Sequence, residues 1–166
     1  MNIKRILFVC HGNICRSPMG EFLCKEAVRR LLVADRFEIA SAAVSQEEIG
    51  NGVYPPVRNI LNKLGIDCSQ KRARQVTKAD LEFYDLIILM DALNLSYFKG
   101  LFNNYPKEKV RLMLSFLGSD ADVDDPWYTR DFERTKEEIS AGIAGMLKSM
   151  SDLGLDDAEI DKACAF

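Results

Sequence analysis

Near its N-terminus the chain reads Ile6-Leu7-Phe8-Val9-Cys10-His11-Gly12-Asn13-Ile14-Cys15-Arg16-Ser17-Pro18. The first four of these residues are all apolar, which is typical of a parallel strand that is covered on both faces. Pro18 suits the first turn of a helix, because its missing N–H would have no intrahelical partner there. The stretch therefore predicts a buried strand, a tight loop and a helix, in that order.

The rest of the chain continues this pattern of strands and helices. Strands are predicted at residues 37–42, 86–90 and 110–114, and helices at 19–31, 57–64, 92–99 and from 130 onward. A short polar helix is expected near Thr77 and Asp80. Because strands that alternate with helices form βαβ units, we predict a three-layer α/β fold with a four-stranded, mostly parallel sheet and helices on both faces. Ligands of such sheets bind at the carboxyl ends of the strands.

Length and composition limit the class of protein. The 166 residues suggest one domain, residues 1–166, in which 151–166 form a C-terminal extension that is either helical or loose. A net charge of −3 disfavours binding to nucleic acid. No apolar run approaches the roughly 18 residues of a membrane span, and residues 6–9 are too few for a secretory h-region of about 7–15. Five irregularly spaced cysteines then favour the reducing cytoplasm.

The loop after the first strand has the features of an anion-binding site. Backbone N–H groups of the turn and of the first helical turn converge there, and the helix dipole adds positive potential. Gly12 and Asn13 suit the positive φ angles of such a turn. The planar guanidinium of Arg16 matches the oxygens of a phosphate group. We therefore expect a phosphate-binding loop at residues 10–17.

Cys10 is the candidate nucleophile in this loop. The loop is expected to stabilise its thiolate, and Ser17 could donate a further hydrogen bond to the sulfur. A thiolate beneath a bound phosphate is placed for in-line attack on phosphorus. The competing interpretation is a buried cysteine at a strand end with Arg16 exposed on a helix. His11 is the only histidine, which excludes most metal sites.

At this point the sequence resembles a known family. Residues 9–19 look like the active-site loop of bacterial-type low-molecular-weight protein tyrosine phosphatases, and Asp125-Pro126-Trp127-Tyr128 resembles the loop that carries their general acid. Residues 73–77 and 90–94 also resemble family segments, so that the resemblance runs from about 3 to 150. It implies the phosphotyrosine protein phosphatase I-like fold.

The resemblance also implies a mechanism and its substrates. Cys10 attacks the phosphate to form a phosphocysteine, Arg16 stabilises the transition state, and Asp125 protonates the leaving phenolate and then activates water. The phosphate would be held by loop residues His11, Gly12, Asn13, Ile14, Cys15 and Ser17. No metal or cofactor is expected. The implied partners are a phosphotyrosine protein or a small aryl phosphate, with inorganic phosphate as product and inhibitor.

Further residues receive supporting roles by the same resemblance. Asn13, Ser17 and Ser41 match residues whose hydrogen bonds hold the loop in shape. Cys15 would form a reversible disulfide with oxidised Cys10, unless it is simply a small buried side chain. The pocket walls would be Glu47, Trp127 and Tyr128.

Two positions depart from the family's pattern. Eukaryotic members often carry an aromatic residue near Glu47, whereas Glu47 or Glu48 here would repel an anionic phosphopeptide. Other members often have histidine in place of Lys71. Together with Arg72 and Arg74 this lysine is expected to form a solvated turn.

Several alternatives remain at this stage. Asp124 competes with Asp125 as general acid, and the run 120–125 resembles a calcium loop without the required Gly and Glu. A protein-arginine phosphatase would resemble this chain with Thr in place of Ile14. A thioredoxin-coupled arsenate reductase would need two more cysteines near residues 80–95, where none occurs. A catalytically silent phosphate-binding module would not require all of Cys10, Arg16 and Asp125.

Overall fold

The structure is a computed structural model that describes residues 2–166. Its centre is a four-stranded sheet in the order β2-β1-β3-β4, and every adjacent pair of strands is parallel. The strands are β1 (Lys4–Cys10), β2 (Phe37–Ala43), β3 (Leu86–Leu89) and β4 (Val110–Leu112). The predicted fold class is therefore confirmed.

Helices cover both faces of this sheet. They are α1 (Arg16–Arg30), α2 (Pro55–Lys63), α3 (Lys78–Phe83), α4 (Ala92–Leu101), α5 (Pro126–Thr129), α6 (Phe132–Lys148) and α7 (Asp157–Ala163). Alternate residues of β1 point to opposite faces. Ile6 and Phe8 join the core formed with α1, α2, α6 and α7, whereas Leu7 and Val9 join a second core with α3 and α4. None of these helices is both long and apolar enough to cross a membrane, within the described residues.

Several element boundaries differ by one to three residues from those predicted, among them those of β4 and α1. β4 ends at Leu112 rather than at residue 114, because its last partner is Leu89, where β3 also ends. The chain continues as a 3-10 turn, Met113–Leu117, that packs against α6. Helix α1 begins at Arg16 rather than at residue 19, and Pro18 lies in its first turn, as predicted.

The C-terminal segment packs onto the rest of the fold. A 3-10 turn at Ser151–Leu153 leads to α7, whose first turn is closed by a reciprocal pair of hydrogen bonds between Asp156 and Glu159. Ile160 and Cys164 are buried against the core on the side of α1 and α6. Residues 157–163 of the segment are therefore helical, and they pack on α1 and α6.

Candidate active site

The loop between β1 and α1 is held in shape by the side chain of Asn13. This residue has a φ of 60° and is 1 % exposed. Its Nδ2 donates to Ser17 Oγ at 2.8 Å and to Ser41 Oγ at 2.9 Å, and its Oδ1 accepts from the backbone N–H of Arg74 at 3.2 Å. An asparagine tolerates the left-handed conformation, and here its side chain also uses its polar atoms to tie the loop to two other segments.

Cys10 ends β1 at the base of this loop. Its Sγ lies 3.0 Å from Ser17 Oγ and 3.4 Å from the backbone N–H of Ser17, which donates to it. The side chain is buried, yet it contributes to the wall of an open pocket. The Ser17 hydroxyl also lies within hydrogen-bond distance of the Ala42 carbonyl, to which it donates at 3.3 Å.

Arg16 lies on the floor of the same pocket and is 2 % exposed. Its Nη1 donates to Asp91 Oδ2 at 2.6 Å and to the carbonyl of Val123 at 2.8 Å, and its Nη2 lies 3.4 Å from Asp125 Oδ2. Burial by itself would lower the pKa of Arg16, but the charges of Cys10 and Asp91 raise it above its ordinary value. The interpretation of Arg16 as an exposed helix residue is therefore wrong.

Asp125 is the carboxylate that reaches this pocket from the acidic loop. Its Oδ1 accepts the backbone N–H of Trp127 at 3.0 Å as the cap of α5, which leaves Oδ2 directed towards Arg16. Asp124, the competing candidate, is exposed and does not line the pocket. The same loop supplies Asp122, whose Oδ1 accepts the backbone N–H of Ala92 at the start of α4. Part of the acidic run thus caps helices.

The pocket has a volume of about 610 Å³, enough for an aryl phosphate. The predicted walls Glu47, Trp127 and Tyr128 all line it. The ring of Trp127 is backed by Tyr54, with the ring centroids 5.0 Å apart. Sequence analysis missed further lining residues: Asp91, Leu93, Asn94, Tyr97 and Asp122.

Lys71 and Glu21 form a second layer of support for the loop. Ser41 Oγ donates to Glu21 Oε1 at 2.6 Å. Lys71 Nζ donates to the carbonyl of Ser41 at 2.8 Å and lies 3.4 Å from Glu21 Oε1. Burial lowers the pKa of Lys71, and the charge of Glu21 opposes that shift. The expected solvated turn is therefore wrong for Lys71, whose side chain is only 12 % exposed.

The other two residues of the expected basic turn, Arg72 and Arg74, differ in their contacts. Arg74 pairs with Asp80 through both terminal nitrogens, at 2.8 and 3.1 Å. Burial alone would raise the pKa of Asp80, but the hydrogen bonds from Arg74 and Thr77 lower it below its ordinary value. Arg72 remains exposed, as predicted.

Cys15 lies in the wall of the pocket that also holds Cys10. Burial raises the pKa of the Cys15 thiol, and the charges of Cys10 and Asp125 raise it further. Cys15 is therefore poorly suited to be the nucleophile at neutral pH, and its disulfide with oxidised Cys10 stays a prediction of the family resemblance. Both residues are free thiols in this structure.

Comparison with known proteins places this site in context. A family model described as low molecular weight phosphotyrosine protein phosphatase matches residues 5–154. The low molecular weight protein-tyrosine-phosphatase YfkJ of Bacillus subtilis is 35 % identical over 147 residues, which cover 87 % of this chain and 94 % of that protein. Its crystal structure has a TM-score of 0.86 at 32 % identity, over 93 % of this chain and 99 % of that chain.

Two more relatives define the breadth of the similarity. The mouse low molecular weight phosphotyrosine protein phosphatase is 38 % identical over 133 residues, which cover 77 % of this chain and 82 % of that protein. The crystal structure of a Drosophila arginine phosphatase is 25 % identical and has a TM-score of 0.76, over 87 % of this chain and 96 % of that chain.

Proposed function

Because the chain belongs to the low molecular weight phosphotyrosine protein phosphatase family, we propose that it hydrolyses phosphotyrosine and other aryl phosphates through a phosphocysteine on Cys10. The observation that carries this proposal is the meeting of three side chains in one pocket. Cys10, Arg16 and Asp125 all line it, although they come from two distant segments of the chain. They supply a nucleophile, a cation and an acid, the groups that cleavage of a phosphate ester requires.

In the first step the Cys10 thiolate attacks phosphorus from the side opposite the phenolate oxygen. The S–P bond forms as the P–O bond breaks, and Asp125 transfers its proton to the departing oxygen. Arg16 stabilises the charge on the phosphoryl oxygens. Its contacts with Asp91 and the Val123 carbonyl hold the guanidinium in place before substrate arrives, which supports an orienting role.

In the second step Asp125, now a carboxylate, takes a proton from a water molecule that attacks phosphorus. The S–P bond breaks, inorganic phosphate leaves and the Cys10 thiolate is regenerated. Ser17 Oγ, 3.0 Å from the sulfur, favours this thiolate as a leaving group. The remaining loop residues, His11 to Cys15, would hold the phosphate, and Ser41 would act only through Asn13.

The proposed setting is the cytoplasm, because five free cysteines are compatible with a reducing compartment. The proposed partners are phosphotyrosine proteins or small aryl phosphates, with inorganic phosphate as product and competitive inhibitor. Binding to nucleic acid or to a membrane is not part of the proposal.

The proposal is tested by phosphate release at mildly acidic pH in the presence of a chelator. A phosphotyrosine peptide is compared with a phosphoarginine peptide, and Cys10→Ser serves as the blank. We expect faster release from phosphotyrosine and none in the blank. Faster release from phosphoarginine would instead assign an arginine phosphatase, and release that persists in Cys10→Ser would refute the phosphocysteine.

A further inference from the structure

The pocket is lined by more acidic than basic side chains. Its lining includes five carboxylates, from Glu47, Glu48, Asp91, Asp122 and Asp125. Among the described residues that line it, Arg16 is the only lysine or arginine, and it is buried at the floor. A substrate that brings a phosphate to this floor must therefore pass a negatively charged rim.

Three of the five carboxylates are already engaged within the fold. Asp91 and Asp125 face Arg16, at 2.6 and 3.4 Å. Asp122 accepts the backbone N–H of Ala92 and so faces the positive end of the α4 dipole. One guanidinium and one helix dipole thus offset part of the charge of these three carboxylates.

Glu47 and Glu48 are different, because neither is paired with a lysine or an arginine among the described residues. The side chain of Glu47 is 69 % exposed, and its Oε2 lies 3.1 Å from His11 Nε2. Glu48 Oε2 accepts from the neutral amide of Asn51 at 2.6 Å. Glu48 also packs over the phosphate loop, since a Cβ on Gly12 would stand 3.2 Å from its Cγ. The carboxylates of Glu47 and Glu48 therefore both lie beside the loop between β1 and α1.

An apolar surface on α4 lines the same pocket. Leu93 is 62 % and Tyr97 is 49 % exposed, and the Tyr97 ring meets His11 edge-on with centroids 5.4 Å apart. Asn94, between them, is 1 % exposed, and its Oδ1 has no donor among the described residues. Exposed apolar side chains that share a pocket with carboxylates lacking a lysine or arginine partner suit a lysine or arginine, whose stem is apolar and whose head carries several donors.

We propose that this pocket selects phosphotyrosine with a lysine or arginine beside it in the peptide, and that Glu47, Glu48, Leu93 and Tyr97 form the subsite for that cationic side chain. This inference rests on the proposed phosphatase function and names its substrate class. The phosphotyrosine ring would lie against Trp127 and Tyr128, and the basic neighbour would extend along α4 towards the two glutamates. A peptide with acidic neighbours would meet the same glutamates as like charges.

The size of the effect follows from the exposure of the charges. One exposed ion pair is worth roughly 1.4- to 5-fold in affinity, and like charges cost a similar factor. Two glutamates that attract lysine and repel glutamate should therefore separate the two peptides by about 10-fold at low salt. Since exposed charges are screened, the preference should shrink to about 2-fold in 0.5 M salt.

The test compares two phosphotyrosine peptides that differ only in their neighbours, lysine in one and glutamate in the other. Their affinities for Cys10→Ser are measured by the fluorescence of Trp127, the single tryptophan, which lies in the pocket wall. Their kcat/KM ratio is measured on the unaltered enzyme. We expect the lysine peptide to be favoured in both assays, and Glu47→Gln with Glu48→Gln to remove most of that preference.

The matched control is Glu108→Gln, because Glu108 is exposed and lies just before β4, at the sheet edge opposite the pocket. This variant should keep the ratio of the unaltered enzyme. Equal affinity for the two peptides, a preference for glutamate, or a lysine preference that survives the double substitution would each overturn the subsite. Failure of the proposed function would be seen separately. In that case the unaltered enzyme would release no phosphate from phenyl phosphate, whatever the ratio of its affinities for the two peptides.

Discussion

Replacing Lys71 by methionine should weaken both the fold and the phosphate loop. Methionine keeps most of the apolar stem but removes the ammonium group. The carbonyl of Ser41 then loses its donor at 2.8 Å, and Glu21 loses one of its two cations. Because Ser41 Oγ donates to Glu21 at 2.6 Å and accepts from Asn13 at 2.9 Å, the change reaches the loop through two successive hydrogen bonds.

The magnitude follows from the burial of the pair. Exposed ion pairs contribute about 0.2–1 kcal/mol, whereas removing one partner of a buried pair costs about 3–5 kcal/mol. The Lys71 and Glu21 side chains are 12 % and 6 % exposed, close to the buried limit. Lys25 remains 2.7 Å from Glu21 Oε2 and offsets part of the loss. We expect the free energy of unfolding to fall by about 2 kcal/mol. For a chain of this size, that corresponds to a fall in Tm of roughly 4–8 °C.

Thermal and urea unfolding of Lys71→Met measure this cost, and kcat/KM on phenyl phosphate should fall about tenfold, or ~1.4 kcal/mol. Lys25→Met is the matched control, because Lys25 pairs with the same carboxylate from a side chain that is 46 % exposed. It should cost less than about 1 kcal/mol. Equal destabilisation by the two variants would refute the reasoning. So would a coupling energy near zero between Lys71→Met and Glu21→Gln.

Three other changes have defined outcomes. Asp125→Ala should lower kcat/KM far more for phenyl phosphate than for p-nitrophenyl phosphate, whose phenolate leaves without a proton, and an equal loss of kcat/KM for the two substrates would contradict the acid assignment. Mild peroxide should link Cys10 to Cys15, as read by peptide mapping under non-reducing conditions; a map with Cys10 oxidised beyond the sulfenic acid and unlinked would speak against the protective disulfide. Gly20→Ala should cost about 1–3 kcal/mol in urea unfolding, because its Cβ would stand 2.8 Å from Cδ1 of the buried Phe8 ring, and an unchanged midpoint would show that the core yields there.

Much of the fold could be predicted because its signals are local. The apolar run at the start of β1 is a property of consecutive residues, and so is the capping pair of Thr77 and Asp80 that opens α3. The boundary of β4 was wrong because it depends on where β3 ends, which no residue of β4 encodes. Strand length at the edge of a sheet is set by the partner strand.

In the candidate site, too, contacts between near neighbours in sequence were predicted and contacts between distant residues were not. Cys10, Asn13 and Ser17 were found in one short stretch, and their mutual contacts span at most seven residues of sequence. Asp91 was missed as the partner of Arg16, 75 positions away, and Lys71 was assigned to a solvated turn although it reaches Ser41 across 30 positions. The resemblance had marked residues 90–94 and the position of Lys71, but nothing in the sequence indicated which residues they would contact.

The sequence by itself determined the strand, the loop and the helix start, because backbone preferences and apolar periodicity act between near neighbours. It also placed the proposed nucleophile and its cation in one loop of seven residues, Cys10 to Arg16. Only the tertiary structure decided which carboxylates meet that cation. The sheet order puts β3 beside β1, so that Asp91, two residues after the end of β3, is carried to the mouth of the loop. Burial also decided the contacts of Lys71, because a buried ammonium group needs hydrogen-bond and ion-pair partners that an exposed one does not.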